Sequence, residues 1–386
     1  MRRMVVGHTA AKRRLIRRPR TFLAYVLMAL ALVKMIHRTA QFVSTGWDVR
    51  LAEATQVRLD ARSPAELVFF AFSDRVTDGL CASIETAAMS GVDLHVIGLD
   101  HSEFDFSEVK HAKSKKIHGY LRLLNSAKLR KKYDIARNET IVVLADASDV
   151  IYMPKTPQRA LEEYHTMRER LVPKGKALIL FAAEGNCWPH MAGDQELIVG
   201  GRDYCAKFHE KAKGSSHKYL NSGGVIGPVS ALAEMYREIH SSMKTADDED
   251  QMITALVYAK QIDDERFGAQ SIKNYVIALD HQARVFQTGW HTHLEIPGKY
   301  AERQANGAYF DATTGVFVNT EHNSTPPIIH FNGGKTNFLP VVRDILRRHR
   351  TDDETYGAIQ RRVRARDPAL AANCTVIDDS SLRAPR

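Results

Sequence analysis

Four short, apolar-rich runs, each separated from the next by a stretch with helical character, constrain this chain more than any other feature. They are Glu66-Leu-Val-Phe-Phe-Ala-Phe72, Val92-Asp-Leu-His-Val-Ile-Gly-Leu99, Thr140-Ile-Val-Val-Leu144 and Ala177-Leu-Ile-Leu-Phe-Ala182. Their length suits strands better than helices, and their apolar content leaves no wet face. Helical periodicity fills the gaps, to about Ser90, near 118–133 and near 157–170. Such alternation reads as an α/β, Rossmann-like fold: a parallel sheet covered on both faces, with ligands beyond the carboxyl ends of its strands.

Charge says little about the fold but excludes one class of partner. Ten of the 54 Lys and Arg lie within residues 1–47, which hold no acidic residue; the other 44 face 45 Asp and Glu. The body is electrically balanced, so the net +9 is no argument for nucleic-acid binding. The basic stretch Lys12–Arg20 leads into 12 apolar residues, Phe22–Val33, against about 20 for a comfortable membrane span. A secretory signal, an uncleaved signal-anchor and an Arg-rich mitochondrial presequence all fit this pattern. Entry to the secretory pathway, in the ER or Golgi as a type II membrane-anchored protein, is the expectation. The layout is then 1–47 as this device, 48–65 as a short polar stem, 66–340 as one α/β domain and 341–386 as a helix and charged tail. Sequons at Asn138, Asn323 and Asn373 permit a lumenal location. Four cysteines are too few for a disulfide scaffold and lack metal-ligand spacing. Cys187 and Cys205 either bridge a loop or stay as buried thiols.

Several clusters have the residue types that chemistry needs. Asp146 and Asp149 follow the third strand, where two neighbouring carboxylates need a compensating cation or partner. A divalent metal with oxygen ligands would serve and would also hold a diphosphate; a capped turn is the plain alternative. Tyr219-Leu-Asn-Ser-Gly-Gly-Val-Ile-Gly227 reads as a glycine-rich turn before a short strand. Its glycines allow close backbone approach to a ligand, and Asn221 and Ser222 offer hydrogen bonds. Asp247–Gln251 opens a helix from Asp250 to Lys260, where acids either suit the helix dipole or point into a cleft. Pro326–Thr336 joins a strand end to His330, Gly333 and Lys335, a histidine ligand followed by a phosphate-contacting turn. Trp188 either walls a sugar pocket or packs structurally, and His291 and His293 read as surface or packing residues.

The order of these clusters is more telling than any one of them. Asp146-x-x-Asp149-Val-Ile, Ala183-Glu-Gly-x-Cys-Trp-Pro189, Tyr219-Leu-Asn-Ser-Gly-Gly224 and Asp248-Glu-Asp-Gln251 are followed by Leu279-Asp-His-x-x-x-Val-Phe-Gln287 and Ile328-Ile-His-x-Asn-Gly333. This succession resembles the glycosyltransferase domain of the procollagen lysyl hydroxylases over roughly residues 66–338. The resemblance implies a GT-A fold and retaining transfer from UDP-glucose, with Mn²⁺, to galactosyl-hydroxylysine. It implies Asp146, Asp149 and His330 as metal ligands, and Ser73, Ser148, Asn221, Gly223, Gly224, Gly333 and Lys335 around the donor. Trp188 and Asp250, with Glu249 beside it, fall on positions implicated in turnover. The chain departs from the family's pattern at Ser148, where an aromatic residue is usual, at Glu249 within an aspartate run, and at Phe331, where Gly is usual. Lys335 stands one place early. These departures bear on the donor, UDP-glucose or UDP-galactose, while the acceptor is a glycan or glycoprotein. The accessory and dioxygenase domains of the full-length hydroxylases do not follow the match, so lysine hydroxylation is not expected. The alternative is a catalytically silent module of the same fold that binds a sugar nucleotide or glycan.

Overall fold

A computed structural model of the chain describes residues 67–332 apart from 108, 111, 136, 189–197, 200–201, 246–247, 267–272, 290–307, 312–313 and 315, together with 342, 345, 361 and 368–374. The N-terminal device and the stem read from the sequence lie outside these residues. Among the described residues no helix is long and apolar enough to cross a membrane.

The apolar runs form strands β1 (Leu67–Phe72), β2 (Leu94–Ile97), β3 (Ile141–Asp146) and β5 (Ala177–Glu184), with a short β4 (Val150–Tyr152) between the last two. Helices α1 (Asp78–Met89), α2 (Ala112–Asn125), α3 (Ala127–Lys132) and α4 (Thr156–Leu171) fill the gaps. The long helix expected near 118–133 is therefore two, because Ser126 caps a new start by accepting from the Leu129 amide. Beyond β5 come β6 (Ile198–Val199), β7 (Arg202–Asp203), α5 (Tyr204–Lys211), β8 (Tyr219–Pro228), α6 (Val229–Ser242) and α7 (Asp250–Arg266). Then follow β9 (Tyr275–Leu279), β10 (Phe286–Thr288), the hairpin β11 (Ala308–Asp311) and β12 (Val316–Asn319), β13 (Ile328–His330) and α8 (Pro368–Asn373).

The central sheet has the order β2-β1-β3-β8-β5-β9. Every strand is parallel to its neighbours except β8, which runs antiparallel to both β3 and β5. An all-parallel sheet was the expectation, and the reason for the difference is local. The chain leaves the sheet at Glu184 and returns beside it, with the Lys218 amide bonded to the Glu184 carbonyl and Tyr219 paired to Glu184. A strand that re-enters at the end where the chain left must run back. Asn221–Gly224 is consequently part of β8, not a turn ahead of it.

Side chains pack on both faces of this sheet. Phe70, Tyr120, Phe181 and Phe208 are buried on one side, and Leu80, Val143, Tyr164 and Phe286 on the other. Each side chain of this size contributes about 1.5–3 kcal/mol by leaving water. A second, three-stranded sheet, β10-β13-β4, sits against the carboxyl end of the first, and its register sets His330 opposite Val150. All four cysteines are paired, Cys187 with Cys205 and Cys81 of α1 with Cys374 just beyond α8. The second of these crosslinks had no signal in the spacing, because its partners lie 293 residues apart.

Candidate active site

The carboxyl ends of β1, β3 and β5, the start of β8 and the small sheet enclose a cleft of about 570 Å³, within the usual range for a small-molecule site. Asp146 ends β3, Asp149 precedes β4 and His330 ends β13. Their ligand atoms lie within 4.8 Å of one another, with His330 Nε2 at 3.5 Å from Asp146 and 3.4 Å from Asp149. Register makes the contact, since the Phe331 amide bonds the Asp149 carbonyl and locks the two loops together. Gly223 is what allows the approach: a Cβ there would stand 2.1 Å from the His330 ring.

The imidazole is oriented by Asn221. Asn221 Oδ1 accepts from the Gly223 amide at 2.9 Å, and its Nδ2 donates to Glu184, so the amide cannot be flipped. His330 Nδ1, 2.9 Å from the same Oδ1, must be the donor. With Nδ1 so engaged, Nε2 faces two carboxylates, where either its own proton or a shared cation satisfies all three groups. Burial works against charge on His330, but Asp149 and then Asp146 outweigh it and raise its pKa. The donor set of two carboxylates and one imidazole fits a divalent metal.

Lys116 on α2 was not singled out from the sequence, where it sits in a basic run that looks like a solvated face. Its ammonium is buried between Asp146, at 2.7 Å, and Asp250, at 2.5 Å, and it also reaches the Ser222 carbonyl. Burial opposes its charge, but the two carboxylates raise its pKa well above the ordinary value. Asp146 shows the converse: burial pushes it up, while Lys116 and His330 prevail and lower it. Asp250 opens α7, is 4% exposed and also accepts from Ser222. Trp188 is half exposed at the rim, its indole N–H bonded to Glu249, which pairs with Lys113.

Glu184 at the end of β5 is the other residue whose role only the structure reveals. Asn221, Gln251 and Asn332 each donate a side-chain N–H to its carboxylate. Burial nonetheless pushes Glu184 up to about 7, the three donors pulling against it. Ser73 and Ser148 line the cleft. Gly224 faces inward, where a Cβ would meet Phe286, and Asn221 spends its amide on His330 and Glu184. Gly333 and Lys335 lie outside the described residues.

His217, Glu321 and His322 form a second group with metal-like proximity, but its hydrogen bonds have a fixed direction. The His322 amide donates to Asn319 Oδ1, and Asn319 Nδ2 donates to Gln287 Oε1. Gln287 Nε2 in turn donates to the Thr288 carbonyl and to His217 Nε2. Proton and lone pair are thereby assigned, and His217 Nδ1 carries its proton beside Ser216 and Glu321. Ser215 donates to the His281 carbonyl, so His322 Nε2 donates to Ser215. Protons, not a cation, fill this cluster.

Residues 63–355 match the family model described as the PLOD GT domain. Among curated proteins, a Drosophila melanogaster procollagen-lysine,2-oxoglutarate 5-dioxygenase is 26% identical over 73% of this chain and 33% of its own length. The human multifunctional procollagen lysine hydroxylase and glycosyltransferase LH3 is 23% identical over 71% of this chain and 30% of its own. A Caenorhabditis elegans multifunctional procollagen lysine hydroxylase and glycosyltransferase is likewise 23% identical, over 73% and 32%. The chain thus spans about a third of the length of these relatives.

Proposed function

Because the chain belongs to the PLOD GT domain family and is a glycosyltransferase, we propose that it transfers a hexose from UDP-glucose or UDP-galactose to a glycan or glycoprotein acceptor, with retention at the anomeric carbon. The carrying observation is the orientation of His330 by Asn221, which aims Nε2 at Asp146 and Asp149. These three residues would hold Mn²⁺. Once bound, the ion supplies Lewis-acid stabilisation of the charge that builds on a departing diphosphate.

The chain's own groups do the rest. Lys116 holds the Asp146 and Asp250 carboxylates in fixed positions and adds positive charge at the base of the cleft. Asp250, with Glu249 beside it, stabilises oxocarbenium character at the transferred sugar or orients the acceptor hydroxyl. Trp188 offers an exposed aromatic face at the rim on which a sugar can stack. Ser73 and Ser148 contact the nucleoside, where a small Ser148 leaves the base without an aromatic partner at that position. Gly333 and Lys335 are proposed to complete the diphosphate site. A location in the secretory pathway, anchored through residues 1–47, is supported by the two disulfides and by the basic-then-apolar N-terminus.

The test is UDP release from a panel of UDP-sugars, with Mn²⁺ or with EDTA, by the wild type and Asp146→Ala. Mn²⁺-dependent release that favours one donor and vanishes in the variant is the expected result. Folded protein that binds UDP and Mn²⁺ yet turns over no donor with any glycan acceptor would instead identify a silent binding module.

A further inference from the structure

Charge is unevenly distributed along the body of the chain. Residues 110–137, which span α2 and α3, hold ten Lys and Arg and one acidic residue, Asp134; Lys113 and Lys116 line the cleft, and these two with Lys115 and Lys132 pair with carboxylates from elsewhere in the chain. The rest of the chain from residue 48 onward carries 34 basic against 44 acidic residues. Arg122, Lys128, Lys131 and Arg137 of this segment are exposed.

A cavity of about 240 Å³ opens at the far end of α2, between α2, α3 and the start of α6. Its polar lining is Asn125, Arg130, Asn138, Ser230 and Arg237. Asn125 Oδ1 accepts from Arg237 Nη1 at 2.5 Å and so fixes that guanidinium in place. Asn138 and Ser230 are exposed, with a backbone bond between them, Ser230 N–H to the Asn138 carbonyl. The site is separate from the catalytic cleft. Lys116 meets Asp146 in the first turns of α2, whereas Asn125 is its last residue, about 14 Å further along the helix axis.

We propose that this cavity and the basic face of α2 and α3 together bind an anionic glycan, with Arg130 and Arg237 taking a sulfate or carboxylate group. Two arginines supply directed donors for such a group, and the amides and hydroxyl beside them suit sugar hydroxyls. A membrane surface is disfavoured: among the described residues the exposed large hydrophobics are Leu171, at the end of α4, and Trp188, which sits at the cleft rim beside Lys113, at the opposite end of α2 from the cavity. A single-stranded nucleic acid would want stacking aromatics, and the same observation denies them.

The experiment measures binding of the full chain to a fluorescent heparin decasaccharide, across a salt series. Any carbohydrate added at the Asn138 sequon is trimmed enzymatically first. Arg130→Ala/Arg237→Ala tests the cavity, and Lys128→Glu/Lys131→Glu tests the face, with melting temperature as the check on folding. The basic residues of 1–47 are present in every variant, so only differences between variants are read. The expected result is that each double variant weakens binding by about tenfold or more and flattens its salt dependence, with UDP release unchanged. Equal affinity in wild type and both variants would overturn the proposal. So would equal or tighter binding of single-stranded DNA, polyglutamate or phosphatidylserine vesicles that the same variants abolish, because the face would then recognise charge alone. None of these outcomes depends on whether the cleft turns over a UDP-sugar.

Discussion

His330 donates from Nδ1 to Asn221 Oδ1 across 2.9 Å, and that single bond determines which ring nitrogen faces Asp146 and Asp149. Asn221→Ala removes the acceptor and frees the ring to rotate. Loss of such an orienting partner weakens metal affinity by roughly 10–100-fold. Titrating UDP release against Mn²⁺ should show that shift, with activity recovering at high metal. An unchanged Mn²⁺ dependence would mean that Asn221 does not set the ring.

Lys116 neutralises two carboxylates that otherwise share one buried corner. Lys116→Met leaves them facing each other, and breaking a buried pair by removing one partner destabilises by about 3–5 kcal/mol. A lower melting temperature and loss of UDP release are both expected. A variant with wild-type stability and turnover would show that the ammonium is dispensable.

Glu184 gives stability a pH dependence of unusual sign for a carboxylate. Its folded pKa, near 7, lies above the ordinary value of 4.5. Its contribution is therefore fully present below about pH 4.5 and is lost as pH rises through 7, a change of about 3 kcal/mol. Melting temperature followed from pH 5 to pH 8 should fall more in the wild type than in Glu184→Gln. Parallel profiles would show that the carboxyl titrates normally.

The His217–Glu321–His322 cluster acts in the opposite direction. Burial lowers the pKa of His281 and His322. Burial would raise Glu321, but hydrogen bonds from His217 and Ser216 overcome it and hold the carboxyl at about 2. Depressed values of this kind stabilise the fold above the unfolded pKa and lose that contribution as pH falls, first below about 6.5 for the histidines and then below about 4.5 for Glu321. Replacing His322 with Asn should reduce the acid sensitivity of the melting temperature between pH 6.5 and 4.5. Metal content measured on the Asp146→Ala variant should be nil, and zinc retained there would show that this cluster binds metal after all.

Cys81–Cys374 ties α1 to the C-terminal helix across most of the chain. Closing so long a loop restricts the unfolded chain, an effect of roughly 2–5 kcal/mol. Cys81→Ala/Cys374→Ala should melt lower while keeping UDP release, because neither residue lines the cleft. Loss of activity at temperatures where the variant stays folded would assign the crosslink a role in the site.

Strand and helix placement was legible because buried β-strands and amphipathic helices leave different periodicities, and those periodicities depend only on local chain geometry. The acidic pair at Asp146 and Asp149, the late His330 and the acids that open α7 could be found as motifs for the same reason: each is local in the chain. The direction of β8 could not, because an apolar strand reads alike in both senses and its direction follows from where the chain re-enters the sheet. Nor could the roles of Lys116 and Glu184. A lysine in a basic run and a glutamate ending a strand look ordinary until the fold buries them, one between Asp146 and Asp250, the other among three amides. The sequence alone determined which elements form and which residue types are on hand for chemistry. Only the tertiary structure decided which of them meet, because the strength of a charge or a hydrogen bond depends on distance and on the exclusion of water, and neither is a property of position along the chain.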